Sequence, residues 1–197
     1  MKTLFLWVIL TAGSASRVDT LQRQLRPFKS LKGTFVQTQQ LKGIRKPLVS
    51  RGTFALSQGR GILWQTQKPF VSAIRINPSG IAQVKDGKVT SLVSSRDQPR
   101  LEEMGKLFSA LFSADVEALK PQFEFISVEA PQNAPWKAVL KPSDPGMGKV
   151  VDSLVLTGQH TVEGLTLFEH NGDVTVIRFS DLKPDEALSR EEAAALE

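Results

Sequence analysis

The sequence contains no cysteine, no tyrosine and only two histidines. Without cysteine, disulfide bonds, thiol catalysis and cysteine-ligated metal sites are all excluded. The two histidines, His160 and His170, have no partner at metal-ligand spacing, and ordinary surface positions explain them. We therefore predict no metal site and no cofactor.

Catalytic motifs are missing as well. There is no G-x-S-x-G elbow, and "GRG" at residues 59–61 lacks both the length and the lysine of a phosphate-binding loop. No nucleophile with a base is identified, so we predict no catalytic residue and no enzyme. The net charge is +5, but Lys and Arg are scattered rather than clustered with aromatic residues. Nucleic acid is therefore not an expected partner.

The N-terminal segment "MKTLFLWVILTAGSAS" has a basic residue, an apolar run and then small residues. This order is typical of a secretory signal peptide, and the apolar run is far shorter than the ~20 residues that span a membrane. We predict that residues 1–16 are a cleaved signal peptide and that residues 17–197 form one periplasmic domain. A buried N-terminal helix or strand is the alternative.

The remaining pattern predicts an α+β protein that is mainly antiparallel β. An amphipathic helix is expected at residues 17–31 with an interruption near Pro27, a second at 101–112, and a short one that ends before Pro121. About ten alternating segments predict strands, and the polar tail at 183–197 is expected to be helical. Such a long meander must curl, and helices are then needed to cover its concave apolar face.

Apolar side chains on this pattern define a candidate binding surface. Alternation places Ile62 and Trp64 on one face of their strand, and Phe35 faces one side of the first strand. Two interpretations are possible: a plain packed core, or a cavity that accepts acyl chains. Glutamines on the same strands are expected on the convex, solvated face; these are Gln37, Gln39, Gln40, Gln65 and Gln67.

Two stretches, "SLKGTFVQTQ" and "GTFALSQGRGILWQTQKP", resemble the LolA family of periplasmic outer-membrane lipoprotein carriers. Phe35 and Gln37 match the family's F-x-Q strand, and Gly52, Trp64 and Pro69 match its next motif at the same spacing. The resemblance covers about residues 17–197.

The resemblance implies an unclosed half β-barrel with a helical lid over a hydrophobic concave face. It implies a carrier that binds acyl chains of lipoproteins or other lipids and shuttles them towards the outer membrane. The implied cavity and lid residues are Leu25, Phe35, Ile62, Trp64, Met104, Leu107, Phe108, Leu111 and Phe112. The family has an arginine latch in the turn before the tryptophan; here Gln58 holds that position and Arg60 follows, so both are latch candidates.

The resemblance also implies partners. These are an acylated lipoprotein or lipid cargo, an inner-membrane transporter, an outer-membrane acceptor and transient contact with a membrane surface, with the protein itself a monomer. One alternative is a binding or sensor module of the same fold without transfer activity. Another is an enzyme on this fold, which needs a polar cluster inside the cavity.

Overall fold

The structure, a computed structural model, describes residues 13–77, 80–93 and 116–197. Within these ranges, two helices, α1 (Gly13–Gln24) and α2 (Arg190–Ala195), and a 3-10 turn (Met147–Lys149) accompany a large sheet. The strands are β1 (Ser30–Gln40), β2 (Leu48–Ser57), β3 (Gly61–Lys68), β4 (Ser72–Asn77), β5 (Gly80–Lys85), β6 (Lys88–Val93), β7 (Phe123–Glu129), β8 (Trp136–Pro142), β9 (Val151–Gly158), β10 (Val162–Glu169) and β11 (Val174–Pro184).

All of these strands belong to one antiparallel sheet with the order β6-β5-β4-β3-β2-β1-β11-β10-β9-β8-β7. Two meanders, β1–β6 and β7–β11, are joined where β1 pairs with β11, with Phe35 opposite Phe179. The first and last strands thus lie at the centre of the sheet, while β6 and β7 are its edges. The predicted antiparallel half-barrel is confirmed, with eleven strands where about ten were expected.

Two glycine dipeptides form the tight turns that the sequence predicts. Asp86 and Gly87 join β5 to β6, and both have positive φ angles, 51° and 70°. This is the backbone geometry that suits a two-residue hairpin. Asn171 and Gly172 lie between β10 and β11, where the Asn171 side chain accepts a hydrogen bond from the Asp173 N–H at 2.9 Å.

The helix predictions need three corrections. The first helix covers Gly13–Gln24 rather than residues 17–31, so it begins inside the predicted signal peptide and ends earlier, and β1 begins at Ser30. Pro27 has no N–H to continue a helix, and the Arg26 N–H donates to the His160 carbonyl instead. Residues 116–122 form turns rather than a helix. In the tail, β11 extends to Pro184 because it pairs with β1, so only α2 is helical.

Helix α2 covers part of the convex face. A capping box starts it: Ser189 Oγ accepts from the Glu192 N–H at 3.1 Å, and the Glu192 carboxylate accepts from the Ser189 N–H at 2.6 Å. Ala195 and Leu196 are buried against Leu63 of β3. The tail is therefore a packed element of the domain and not only a polar extension.

Candidate functional site: the apolar concave face

Four aromatic side chains from four neighbouring strands meet on the concave face. We call Phe35, Phe54, Trp64 and Phe179 the aromatic cluster. The rings of Phe35 and Trp64 stack with centroids 3.7 Å apart, and Phe179 forms edge-to-face pairs with Phe54 and Trp64 at centroid distances of 5.4 and 6.2 Å. Such stacked and edge-to-face pairs add stabilisation beyond the area they bury.

Glycines make room for this cluster. Gly52 lies opposite Phe35 in the β1–β2 register, and a Cβ on Gly52 would be 2.9 Å from the Phe35 ring and 1.9 Å from the Gln65 carbonyl oxygen. A Cβ on Gly33 would likewise be 2.8 Å from the Phe54 ring. The phenyl rings therefore lie over bare backbone, which lets Phe35 cross above β2 to reach Trp64.

Apolar side chains extend from this cluster in both directions across the sheet. One row of register partners runs through the first meander: Leu31, Leu56, Ile62, Ile76 and Ile81. A second row runs through the other meander: Ile177, Leu165, Leu156, Ala138 and Val128. All ten side chains are buried. Together with the aromatic cluster, these two rows form one continuous apolar region of the concave face.

Three polar or charged side chains are buried in the part of the chain that the structure describes: Arg75, Thr161 and Thr175. Arg75 is the charged one, and it pairs with Leu63 and Ala82 on the convex face. Arg75 therefore lies on the opposite side of the sheet from the aromatic cluster. The cluster avoids the free-energy cost of a charge buried beside it.

The glutamine prediction is wrong at two positions. Gln37 and Gln39 share the concave face with Phe35, since residues two apart on a strand point the same way. Both are half-buried, opposite Ser50 and Leu48 of β2. The concave face is therefore apolar around the aromatic cluster and becomes polar towards the β1–β2 hairpin.

The structure brings together four of the predicted cavity residues. Phe35, Ile62 and Trp64 are buried in one hydrophobic cluster, and Leu25, just after α1, packs against that cluster. The predicted lid residues Met104, Leu107, Phe108, Leu111 and Phe112 lie outside the described residues.

The two latch candidates lie in the turn between β2 and β3, and both are exposed. The Gln58 N–H donates to the Lys29 carbonyl at 2.9 Å, and the Arg60 N–H donates to the Ser57 carbonyl at 3.1 Å. These backbone bonds fix the turn. A latching role for the Gln58 or Arg60 side chain stays a prediction.

Two members of the cluster, Phe54 and Phe179, are not among the cavity residues that the sequence predicts. Phe179 alternates with Ile177 in "VTVIRF", so its burial on one face was readable from the strand period. Its place beside Phe54 and Trp64 was not readable. That placement depends on the pairing of β1 with β11, which are far apart in the sequence.

A separate cleft of about 850 Å³ lies between the end of α1 and the turns that follow β7 and β9. Its lining includes Arg23, Arg26, Asn133 and His160, so it is far more polar than the concave face.

Across residues 13–77, 80–93 and 116–197, no group of three acidic or histidine side chains is placed to hold a metal ion. Over the same ranges, no helix has the length and apolar character needed to cross a membrane.

A single open sheet with an apolar concave face defines the class of unclosed half-barrel folds. Residues 26–192 match the family model described as outer membrane lipoprotein carrier protein LolA, and the chain belongs to this family. The resemblance found in the sequence is thereby confirmed.

One relative and two solved structures are similar to this chain. The chain is 27% identical over 175 residues to an outer-membrane lipoprotein carrier protein of Dechloromonas aromatica, covering 88% of this chain and 80% of that one. Its fold is similar to a LolA superfamily protein from Nitrosomonas europaea, with a TM-score of 0.50, 11% identity and coverage of 89% and 94%. A chain in the complex of Pseudomonas aeruginosa MucA and MucB gives a TM-score of 0.45 at 11% identity, with coverage of 90% and 58%.

Proposed function

We propose that this protein is a periplasmic carrier that holds acyl chains of lipoproteins or other lipids against its concave face and delivers them towards the outer membrane. The observation that carries the proposal is the continuous apolar concave face with the aromatic cluster at its centre. Membership of a family of lipoprotein carriers supports it.

The chemistry of this face suits reversible binding of acyl chains. Each methylene that leaves water contributes about 0.8 kcal/mol, so even one chain is held appreciably. Aromatic and aliphatic side chains offer contact area without a fixed polar geometry, so they accept chains of different length. A carrier must also release its cargo, and a face that binds through area alone can be vacated when a covering segment opens.

Each predicted residue has a role in this proposal. Phe35, Ile62 and Trp64 form the floor of the site, and Leu25 closes it near α1. The segment that contains Met104, Leu107, Phe108, Leu111 and Phe112 acts as the lid. Gln58 and Arg60, exposed in the β2–β3 turn, are the candidates for holding the lid closed. Residues 1–16 direct export, and the protein acts by binding and release without chemical conversion of its cargo.

The first test is native mass spectrometry of the protein purified gently from a periplasmic extract. We expect adducts that extract as lipids or acylated peptides, and we expect uptake of an added fluorescent fatty acid. A clean apo mass together with no uptake of the fatty acid would refute the carrier proposal. Uptake without transfer between two vesicle populations would favour a sensor module of the same fold.

Neighbouring residues on β3 provide a matched pair of variants. Ile62 and Leu63 are both buried, but Ile62 lies on the concave face and Leu63 lies on the convex face beneath α2. Both Ile62→Ala and Leu63→Ala should lower the free energy of unfolding by about 2–4 kcal/mol. We expect only Ile62→Ala to change the affinity for the fatty acid, by about fivefold or more, because the convex face does not contact the cargo. Equal changes in affinity would contradict the assignment of the concave face.

A further inference from the structure

Large apolar side chains are exposed at one end of the sheet. Phe70 and Val71, in the loop between β3 and β4, are 82% and 87% exposed. Ile44, in the loop between β1 and β2, is 50% exposed, and Leu48 and Val49 at the start of β2 are 54% and 43% exposed. Single exposed apolar residues are common, but a group of five on two adjacent loops and the strand start between them indicates an interaction surface.

The two loops lie side by side. Strands β1 and β3 both pair antiparallel with β2, so they run in the same direction and their following loops share one end of the sheet. Arg51 of β2 is the register partner of Lys68, the last residue of β3. The start of β2 therefore lies next to the loop that carries Phe70.

Basic side chains surround these apolar ones. They are Lys42, Arg45, Lys46, Arg51 and Lys68, and all are exposed. With the five apolar residues they form what we call the apolar–basic rim. Among the described residues, no carboxylate lies within ion-pair distance of these five cations.

The charge of this half of the molecule is one-sided. No aspartate or glutamate occurs between Asp19 and Asp86, so every charged side chain of β1 to β5 is Lys or Arg. The acidic residues are concentrated in the rest of the chain. The Asp173 carboxylate lies beside the rim, where it accepts the Lys42 N–H at 2.8 Å, but the five cations outnumber it. The rim therefore presents a positive potential, which attracts an anionic surface.

The β1–β2 loop is held in place by side-chain hydrogen bonds. The Lys42 N–H donates to Asp173 Oδ1 at 2.8 Å, and the Gln40 side-chain amide donates to the Ile44 carbonyl at 2.6 Å. The aliphatic stem of Lys42 also lies over Gly172, where a Cβ would be 3.0 Å from Lys42 Cδ. The exposed side chains are thus presented by a fixed loop.

We infer that the apolar–basic rim docks on a bilayer that contains anionic lipids. Phe70 and Val71 enter the boundary between headgroups and acyl chains, and the surrounding Lys and Arg side chains bind lipid phosphates. Apolar side chains flanked by cations are the combination that such interfaces favour. The rim also adjoins the end of the concave face that carries Gln37 and Gln39, so docking brings that end of the face close to the membrane.

Vesicle co-sedimentation of the protein purified from a periplasmic extract tests this inference. We expect binding to vesicles of phosphatidylglycerol and phosphatidylethanolamine in equal parts at low salt, and little binding to phosphatidylcholine alone. Lys42→Gln/Arg45→Gln/Lys46→Gln should weaken binding to the anionic vesicles about a hundredfold, since each cation near an anionic surface contributes about fivefold. Phe70→Ser/Val71→Ser should weaken it at least tenfold and should leave the salt dependence unchanged.

Matched controls come from the other meander and the tail. Ile126 and Phe168 are also exposed apolar residues, and Lys137, Lys141 and Arg190 are exposed cations. Ile126→Ser/Phe168→Ser and Lys137→Gln/Lys141→Gln/Arg190→Gln should bind anionic vesicles within twofold of the natural sequence. A loss as large as that of the rim variants would show attraction by net charge or general apolarity and would overturn the inference.

A tryptophan at the rim reports insertion directly. In Phe70→Trp we expect the added emission to shift to shorter wavelength on anionic vesicles and to be quenched by brominated acyl chains. Absence of vesicle binding, or binding with no change in this emission, would overturn the inference, and a protein partner would then be the occupant to seek. Affinity for a soluble fatty acid is measured without vesicles, so failure of the carrier proposal and failure of membrane docking are distinguishable.

Discussion

At the scale of single residues, the aromatic cluster needs glycine at two positions beside its rings. Phe35 reaches Trp64 because Gly52 lies between them with no Cβ to obstruct the ring. Gly33 has the same relation to Phe54. The glycines within the two strands are therefore packing residues of the concave face rather than turn residues.

Replacement of Gly52 tests this packing. Gly52→Ala should lower the free energy of unfolding by about 2–3 kcal/mol, because the new Cβ would overlap the Gln65 carbonyl and the Phe35 ring. Urea denaturation measures the change. Gly148→Ala is the control, since a Cβ there meets no atom within 4 Å, and we expect a change within about 0.5 kcal/mol. Equal effects of the two substitutions would show that the Phe35 ring is not confined by Gly52.

At the scale of elements, α2 is held to the sheet by one ion pair as well as by its small apolar patch. Lys32 Nζ of β1 lies 2.7 Å from the Glu192 carboxylate. Burial alone would raise the pKa of Glu192, but the Lys32 ammonium and the hydrogen bonds from Ser189 outweigh it and hold that pKa below its ordinary value. A carboxyl with a lowered pKa in the folded state stabilises the fold above its unfolded pKa and loses that contribution as the pH falls through the folded pKa.

This linkage predicts how stability depends on pH. Between pH 5 and 3 the free energy of unfolding should fall, and Lys32→Met should make that fall shallower while costing about 1 kcal/mol at pH 7. Thermal unfolding at a series of pH values measures both effects. Lys183→Met is the matched control, because Lys183 pairs with Glu186 at 3.4 Å on an exposed surface and should contribute less than about 0.5 kcal/mol. An unchanged pH profile in Lys32→Met would exclude the ion pair as its source.

At the scale of the whole molecule, the pairing of β1 with β11 unites two meanders that are separate in the sequence. Each meander contains one buried tryptophan, Trp64 in the first and Trp136 in the second. Because the aromatic cluster joins the two apolar rows across this central pair of strands, neither meander can lose its core contacts without exposing those of the other.

We therefore expect a single cooperative unfolding transition. In a Trp7→Phe background, Trp136→Phe leaves Trp64 as the fluorescent reporter of the first meander, and Trp64→Phe leaves Trp136 as that of the second. For each variant, the urea midpoint from fluorescence should coincide with the midpoint from far-ultraviolet circular dichroism. Separate midpoints in either variant would show that the halves unfold independently.

The sequence by itself determined the strands, their tight turns and the family. Period-two alternation and glycine dipeptides are local signals, so segments such as β3 and the Asp86-Gly87 turn were predictable. Only the tertiary structure decided the features that depend on contacts between residues far apart in the sequence. Pairing of β1 with β11 placed Phe179 in the aromatic cluster and extended β11 to Pro184, and the concave orientation of Phe35 carried Gln37 and Gln39 to the same face. Helix α1 stopped at Gln24 because Pro27 and the His160 carbonyl, 134 positions after Arg26 in the numbering, redirected the backbone. Local propensity cannot encode a hydrogen-bond partner that only folding brings near.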